Sequence, residues 1–147
     1  MKKKFISVLL CACMLVTCML PVMSNAEETM SSNSQIMPRL TYIITASSTL
    51  IADSDTNSLE AICDLQGVPT VTKLYVKYTF QKKGFLGLSW SDEYTGTYSV
   101  TGDDLLVLHR TLSGFSNGTY RLKAEFSAYY YDQCETITVY SAEKKLS

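Results

Sequence analysis

Apolar and polar residues alternate with a period of two along most of the chain beyond position 40, the pattern of half-buried β-strands. The alternation is clearest in segments 71–81 and 118–131. Outside residues 5–20, no long stretch shows a helical period, so the pattern predicts an all-β protein. The residues predicted to face its core in the two segments are Leu74, Val76, Tyr78, Phe80, Tyr120, Leu122, Ala124, Phe126, Ala128 and Tyr130.

Turn-forming residues divide the pattern into about seven short strands. Such strands, with turns every 8–12 residues or so in roughly 100 residues, predict an immunoglobulin-like β-sandwich of antiparallel strands over 40–141. A small β-barrel is the alternative. The charged tail, 142–147, is expected to fray. The predicted strands cover 40–52, 58–66, 71–81, 103–112, 118–131 and 134–141, with two shorter ones, 88–94 and 97–100, separated at Gly96.

The first 26 residues have the pattern of a signal peptide. Three lysines precede an apolar helical stretch, 5–20, and Ser24-Asn25-Ala26 forms a small-x-small site, so we predict cleavage after Ala26. The apolar stretch is short for a spanning helix, so we expect no transmembrane segment after cleavage. A lipoprotein anchor at Cys18 is the alternative. The product would be secreted and extracellular, with a disordered lead-in over 27–39.

Cleavage would change the charge and the cysteine content. The full chain has 13 Lys and Arg against 14 Asp and Glu. The three lysines leave and every acid stays, which gives ten basic against fourteen acidic residues and a net charge of −4. Phosphate contacts need clustered basic residues, so we expect no nucleic-acid partner. Cys63 and Cys134 remain in an oxidising compartment, and they are predicted to form one disulfide.

Aromatic and basic residues on the polar faces of the later strands form the main candidate surface. If segments 71–81, 118–131 and 134–141 are neighbours, their outward side chains share one face. Rings among cations suit a glycan or an anionic wall polymer. Stabilising cross-strand pairs are the alternative explanation. The candidates are Tyr75, Lys77, Arg121, Lys123, Tyr129, Tyr131 and Tyr140.

Two loops carry further candidates. In KKGFLG, residues 82–87, Phe85 and Leu86 stand at a predicted hairpin tip, which either enters a membrane or partner or folds back onto the end of the sandwich. Gly118-x-Tyr120 resembles a tyrosine corner, in which the phenol bonds to upstream backbone. Tyr120 therefore has a predicted structural role.

Catalytic and metal-binding patterns are weak. The single histidine, His109, lies inside a predicted strand and is expected to be half-buried and structural. Asp53, Asp55, Asn57 and Asp64 have the spacing of a calcium loop, but no glycine follows Asn57 and no helices flank the segment, which favours an ordinary turn. We expect no enzyme activity, no cofactor and no metal.

From residue 41 to residue 141 the chain resembles an uncharacterised family of small secreted proteins of Gram-positive bacteria. The resemblance covers nearly the whole predicted domain, and it implies a secreted β-sandwich of unknown function without implying an activity. The motifs that carry it are TYI at 41–43, AICDLQG at 61–67, VTKLYVKYTFQKK at 71–83 followed by Trp90, GTYRLKAEFSAYY at 118–130 and ETITVYS at 135–141.

The sequence therefore predicts a secreted, non-enzymatic binding or interaction module that acts at or near the cell envelope. Its partner is unknown, and a cell-wall glycan or another surface protein fits the candidate face. The alternatives are a structural or partner-neutralising secreted protein, or a hydrolase whose site the sequence does not reveal.

Overall fold

The computed structural model describes residues 40–147, so the predicted signal peptide, Ala26, Cys18 and the 27–39 lead-in lie outside the described residues. Within that range all regular secondary structure is β, and no helix there could cross a membrane. The strands are β1 Ile43–Asp53, β2 Ser58–Gly67, β3 Lys73–Lys83, β4 Trp90–Thr101, β5 Leu105–Ser113, β6 Gly118–Tyr130, β7 Gln133–Tyr140 and β8 Lys144–Leu146.

The strands form two antiparallel sheets. One sheet has the order β1-β2-β5, and the other has the order β4-β3-β6-β7, with β8 pairing the beginning of β6. The apolar faces of the two sheets form one buried cluster between them. The predicted immunoglobulin-like β-sandwich is thus confirmed, and the sheets of the described chain do not close into the alternative barrel.

The predicted alternation decides what lies in the core. The even-numbered residues of β3 from 74 to 80 and of β6 from 120 to 128 are all buried. From the other sheet, Leu59, Ala61, Cys63 and Leu65 of β2 face them and are fully buried. Tyr130, predicted to be a core residue, is only half-buried, because it ends β6 and stacks on Tyr42 with ring centroids 5.5 Å apart.

The pairing of β3 with β6 runs without a bulge and sets large side chains opposite small ones. Tyr78 lies opposite Ala124 on one side and opposite Gly96 of β4 on the other. A Cβ at Gly96 would overlap the Tyr78 phenol. The prediction that Gly96 separates two strands was therefore wrong: β4 runs through it, and the glycine makes room for the ring.

The tyrosine corner is present. The Tyr120 hydroxyl donates a hydrogen bond of 2.6 Å to the backbone carbonyl of Ser116, four residues upstream. The ring is fully buried and meets Phe115 edge to face at 5.6 Å. This bond fixes the connection between β5 in one sheet and β6 in the other.

The charged tail does not fray. Residues 144–146 form β8, and Leu146 lies opposite Gly118 with its side chain fully buried. The amide of Ser147 donates to the hydroxyl of Ser54 at 3.0 Å. A single apolar residue between charged neighbours is enough to dock the segment, because the beginning of β6 leaves a free edge that β7 does not reach.

The predicted disulfide is not formed. Cys63 and Cys134 are both free. Cys63 points into the core from β2, whereas Cys134 is exposed on β7 and pairs with Tyr129 on the opposite side of the other sheet. The two thiols therefore face away from each other, and the continuous register of β6 and β7 contains no bulge that would turn Cys134 inward.

A carboxylate connects the sheets where a disulfide was expected. Glu135 of β7 accepts hydrogen bonds from the amides of Thr41 at 2.9 Å, Tyr42 at 2.7 Å and Ile43 at 3.0 Å. Burial raises the pKa of Glu135, but these backbone bonds outweigh it, and the net pKa lies below its ordinary value of 4.5. The ionised side chain thus holds the start of β1 against β7.

Replacing Tyr120 by Phe should lower the free energy of unfolding by about 1–3 kcal/mol, because the carbonyl of Ser116 loses its buried donor. Tyr98→Phe is the matched control, since Tyr98 is 42% exposed and no hydrogen bond holds its hydroxyl among residues 40–147. Urea unfolding of both variants measures the difference. Equal, small changes would mean that the corner bond does not stabilise the sandwich.

Glu135→Gln should destabilise the protein at neutral pH and flatten its acid sensitivity. Because the folded-state pKa is lowered, the carboxylate stabilises the fold above its ordinary pKa, and this contribution disappears as the pH falls through the folded-state value. The difference in stability between wild type and variant should therefore be large near pH 7 and should disappear at low pH. Unfolding midpoints across the pH range, with Glu93→Gln as a surface control, test this; a gap that stays constant with pH would contradict it.

One thiol of the folded protein should react with Ellman's reagent and the other should not. Burial, followed by the charge of Asp64, raises the pKa of Cys63 to about 12, and the thiolate is the reactive form. Cys134 is exposed and should be labelled quickly. Cys134→Ser should abolish the fast reaction, while denaturation should release the second thiol. Absence of both thiols in unreduced, unfolded protein would instead support the disulfide.

Candidate functional site

The candidate site is the outer side of the five-stranded sheet, called the outer face below. Since β3 and β6 pair antiparallel and in register, their odd-numbered residues project together, away from the core. Neighbouring residues of β4 and β7 extend this surface on both sides. The aromatic and charged side chains that define it are Lys73, Tyr75, Lys77, Lys83, Trp90, Arg121, Lys123, Glu125, Tyr129 and Tyr140.

Six of the seven residues predicted from the sequence lie on the outer face, and Tyr131 does not. It occupies the two-residue turn between β6 and β7 at a φ of 51°, where its side chain is 76% exposed. The strand alternation stops at Tyr130, so parity no longer determines the direction of Tyr131. Its ring meets Tyr130 edge to face at 4.8 Å, at the end of the sandwich.

The most ordered part of the outer face is a guanidinium between two aromatic rings, called the Arg121 stack: Trp90, Arg121 and Tyr140. The central carbon of the guanidinium lies 4.1 Å from the centroid of Trp90 and 4.4 Å from that of Tyr140. Three strands supply the three residues, β4, β6 and β7. Cation–π contacts with the two rings restrict the position of the guanidinium.

A chain of side-chain hydrogen bonds fixes the guanidinium edge nearest the sheet. The Nε of Arg121 donates to the Oε1 of Gln81 at 2.8 Å, and the Nε2 of Gln81 donates to Asp92 at 2.7 Å. Gln81 is 8% exposed. Within residues 40–147 the Arg121 Nη nitrogens donate no hydrogen bond, so their N–H groups remain available to a ligand.

Trp90 is the residue of this stack that the sequence analysis missed as a site residue. Trp90 belongs to β4 and lies opposite Lys83 of β3. The Nζ of Lys83 is 5.5 Å from the centroid of the Trp90 ring. A bulge that follows the Phe80–Tyr94 pair shifts the register of β4 and sets Trp90 on the outer side. The only sequence signal was the Lys-Lys pair followed by a tryptophan, and that motif does not predict the bulge in β4.

A second cationic and aromatic cluster lies at the other end of the outer face. The Nζ of Lys73 is 5.8 Å from the ring centroid of Tyr75 and 5.6 Å from that of Tyr129. The Cys134 thiol beside Tyr129, and then burial, raise the pKa of Tyr129, so its phenol stays neutral at physiological pH. This cluster offers two phenol groups together with one ammonium group.

The central strands give the outer face a positive balance. The β3 and β6 side chains on it comprise five cations and one carboxylate, Glu125. Glu125 pairs with Lys77 at 3.5 Å and with Lys123 at 3.4 Å, between the two aromatic clusters. The complete chain has a net charge of −1, so the positive charge is a local property of this surface.

The loop between β3 and β4 is exposed rather than folded back. Phe85 is 104% exposed and Leu86 is 77% exposed, so of the two alternatives for this loop, the one in which they fold back onto the end of the sandwich is wrong. Leu88, which the sequence analysis did not select, is 88% exposed in the same loop. Phe115, Tyr120 and Leu146 pack into the core at this end of the sandwich instead.

His109 is also more exposed than expected. Its side chain is 59% exposed on the outer side of the three-stranded sheet, and its Nδ1 lies 3.4 Å from the Oε1 of Glu60. β5 is an edge strand, so the alternation turns His109 toward solvent together with Val107. The expected half-buried histidine was therefore wrong.

The calcium-like spacing does not converge on one point. Both carboxylate oxygens of Asp53 accept hydrogen bonds within the turn, from the Asp55 amide at 3.0 Å and from the Thr56 hydroxyl at 2.8 Å. Asp64 lies six residues into β2, roughly 20 Å along the strand from Ser58, and bonds to Ser47. Among residues 40–147 no three His, Cys, Asp or Glu side chains are grouped to hold a metal ion.

A groove of ≈ 350 Å³ runs where β4 meets the connection from β5 to β6. Tyr94 and Phe115 supply its apolar part and Glu93 its charge. It contains no paired acid and base, and it lies on the core-facing side of β4, away from the outer face. Its lining is Glu93, Tyr94, Leu112, Ser113, Gly114, Phe115 and Ser116.

Comparison with known proteins adds little to this geometry. No protein-family model matches the sequence, and no curated protein matches it. Among solved structures, the solution structure of a protein from Arabidopsis thaliana is similar, with a TM-score of 0.42 and 17% sequence identity over 84% of this chain and 92% of that chain. A similarity this distant supports no conclusion about a ligand or an activity.

Proposed function

We propose that the protein is a secreted, non-enzymatic binding module that holds an anionic polymer of the cell envelope against the outer face. The observation that carries the proposal is the Arg121 stack, whose guanidinium is fixed between two rings while its Nη donors have no acceptor within residues 40–147. A guanidinium recognises a carboxylate or phosphate through two parallel hydrogen bonds. An arginine that is already immobilised loses little conformational freedom when it binds.

Charge favours an anionic ligand over a neutral sugar. Trp90 and Tyr140 each turn a ring face toward Arg121, so those faces are not available for stacking on a sugar ring. The five cations of β3 and β6 exceed the three carboxylates beside them, which are Glu125, Asp92 of β4 and the Glu143 that pairs with Lys83. An ammonium or guanidinium in this setting gains more from a phosphate or carboxylate than from a hydroxyl.

The length of the outer face favours an extended ligand over a small one. Arg121 and Tyr129 are eight residues apart on β6, roughly 26 Å at about 3.3 Å per residue. Lys123 and Lys73 lie near the two ends of this distance, beside the two aromatic clusters. Several repeating units of a charged polymer would fit along such a surface and contact more than one cation.

The location at the cell envelope is part of the proposal. It rests on the signal-peptide pattern of residues 1–26 and on the resemblance of residues 41–141 to secreted proteins. Teichoic-acid-like polymers, with one phosphate per repeat, have the charge that the outer face complements. The alternative, that the same contacts only stiffen the sheet, predicts stability effects without binding.

Arg121→Gln should weaken binding of a fluorescent polyglycerol phosphate by roughly tenfold or more, because it removes charge-assisted hydrogen bonds. Arg121→Lys should recover part of the affinity through its charge but not the two-point contact. Binding should fall with added salt. Fluorescence anisotropy at several salt concentrations measures each effect.

Arg110→Gln is the matched control, since Arg110 is an exposed arginine of β5 in the other sheet. It should leave the affinity unchanged. Melting temperatures separate lost contacts from lost folding, because Arg121→Gln also removes cation–π contacts from the stack. The proposal fails if the wild type does not saturate with the polyanion, binds neutral dextran equally well, or loses as much affinity through Arg110 as through Arg121.

A further inference from the structure

The loop at residues 84–89, called the hairpin tip below, displays apolar side chains that contact almost nothing. Phe85, Leu86 and Leu88 are 104%, 77% and 88% exposed, the three highest values among the large apolar residues of the described chain. They lie within four consecutive positions, separated only by Gly87, so their exposed surfaces form one patch. Single exposed apolar residues are common, but three together at the end of a hairpin mark an interaction site.

The backbone of the hairpin tip holds itself without these side chains. The Gly84 amide donates to the Ser89 carbonyl at 2.9 Å, and the Gly87 amide donates to the Gly84 carbonyl at 2.8 Å. Gly87 has a φ of +70°, which favours glycine, and a Cβ at Gly84 would lie 2.6 Å from the Ser89 hydroxyl. The backbone hydrogen bonds and the glycines therefore form the turn, and its apolar side chains are not needed to close it.

The residues behind the hairpin tip have the order found at a membrane surface. Trp90 follows the tip on β4, and Lys82 and Lys83 precede it on β3. No acidic residue occurs between Gln81 and Ser91, but in the folded chain the Nζ of Lys83 pairs with Glu143 at 2.9 Å and that of Lys82 donates to the Ser116 hydroxyl at 2.6 Å. Both contacts are exposed to solvent, so either ammonium group can exchange its partner for a lipid headgroup. An apolar end followed by a tryptophan and a cationic collar matches the layers of a bilayer, from acyl chains to the headgroup region and its negative charge.

We propose that the hairpin tip inserts shallowly into the surface of an anionic lipid bilayer. Phe85, Leu86 and Leu88 would enter the upper acyl layer, and Lys82 and Lys83 would meet the anionic headgroups. A bilayer fits better than a protein partner, because three side chains bury far less than the roughly 1,000 Å² that a specific protein interface needs. One such loop gives reversible attachment rather than a permanent anchor.

This inference does not rest on the proposed function. Trp90 and Lys83 belong to both surfaces, but the three apolar side chains are outside the outer face and the Arg121 Nη donors are outside the hairpin tip. A protein that binds the polymer and ignores lipid would overturn the inference alone, and one that binds lipid and ignores the polymer would overturn the proposed function alone.

The test uses vesicles of phosphatidylcholine with and without phosphatidylglycerol. The protein should sediment with the anionic vesicles, and Phe85→Ser/Leu86→Ser/Leu88→Ser should reduce the partition coefficient on the order of tenfold or more. Lys82→Gln/Lys83→Gln should reduce binding to the anionic vesicles only. Trp90 is the single tryptophan of the chain, so its emission reports on the loop directly. It should shift to the blue and be quenched by brominated lipid.

Leu105→Ser/Val107→Ser is the matched control, because these residues are 49% and 46% exposed on the other sheet. That variant should bind vesicles like the wild type. Soluble glycerol phosphate should not displace the protein. Wild-type protein that ignores anionic vesicles, a triple Ser variant that binds them equally, or complete displacement by glycerol phosphate would each overturn the proposal. So would dimerisation that the triple variant abolishes in the absence of lipid binding, since that would assign the hairpin tip to a second copy of the chain.

Discussion

The pairing of β3 with β6 is the constraint on which the rest of the structure depends. Both strands have neighbours on both sides, and their register contains no bulge. Each therefore places one set of side chains in the core and the other on the outer face. A slip of one residue would expose Phe126 and Leu122 and bury Arg121 and Lys123 without partners, which would be destabilising on both faces at once. The register of β3 and β6 therefore determines both the core and the candidate site.

Hydrogen bonds from two side chains connect the sheets, which no disulfide joins. Tyr120, near the beginning of β6, bonds to the connection that leaves β5, and Glu135, opposite Ala128 near the end of β6, holds the start of β1. Each uses a side chain to satisfy backbone groups that the ladders leave unpaired. The sandwich is thus closed near both ends of β6 by hydrogen bonds. One of them depends on an ionised carboxylate, which makes this closure sensitive to acid.

The two surfaces considered for binding differ in how they are ordered. The Arg121 stack is held by side chains from β3, β4, β6 and β7, so its geometry reports the correct assembly of the whole sheet. The hairpin tip is held by its own backbone and needs no neighbour. A substitution in the stack is therefore expected to change the stability of the sheet, whereas one in the tip is expected to leave it unchanged. This difference makes the tip the cleaner experimental target.

Alternation in the sequence was sufficient to determine most of the strands, the buried positions of β3 and β6 and six residues of the outer face, because each follows from parity within one strand. The Gly118-x-Tyr120 motif indicated the tyrosine corner. Parity also set Cys134 outside, against the expectation of a disulfide. Three features were decided only by tertiary structure. Trp90 reaches Arg121 through a bulge in β4, Gly96 stays in its strand because the Tyr78 ring needs the space, and Leu146 docks because β6 offers a free edge. Each of these depends on what lies across the sheet, and a period along one strand contains no information about its neighbours.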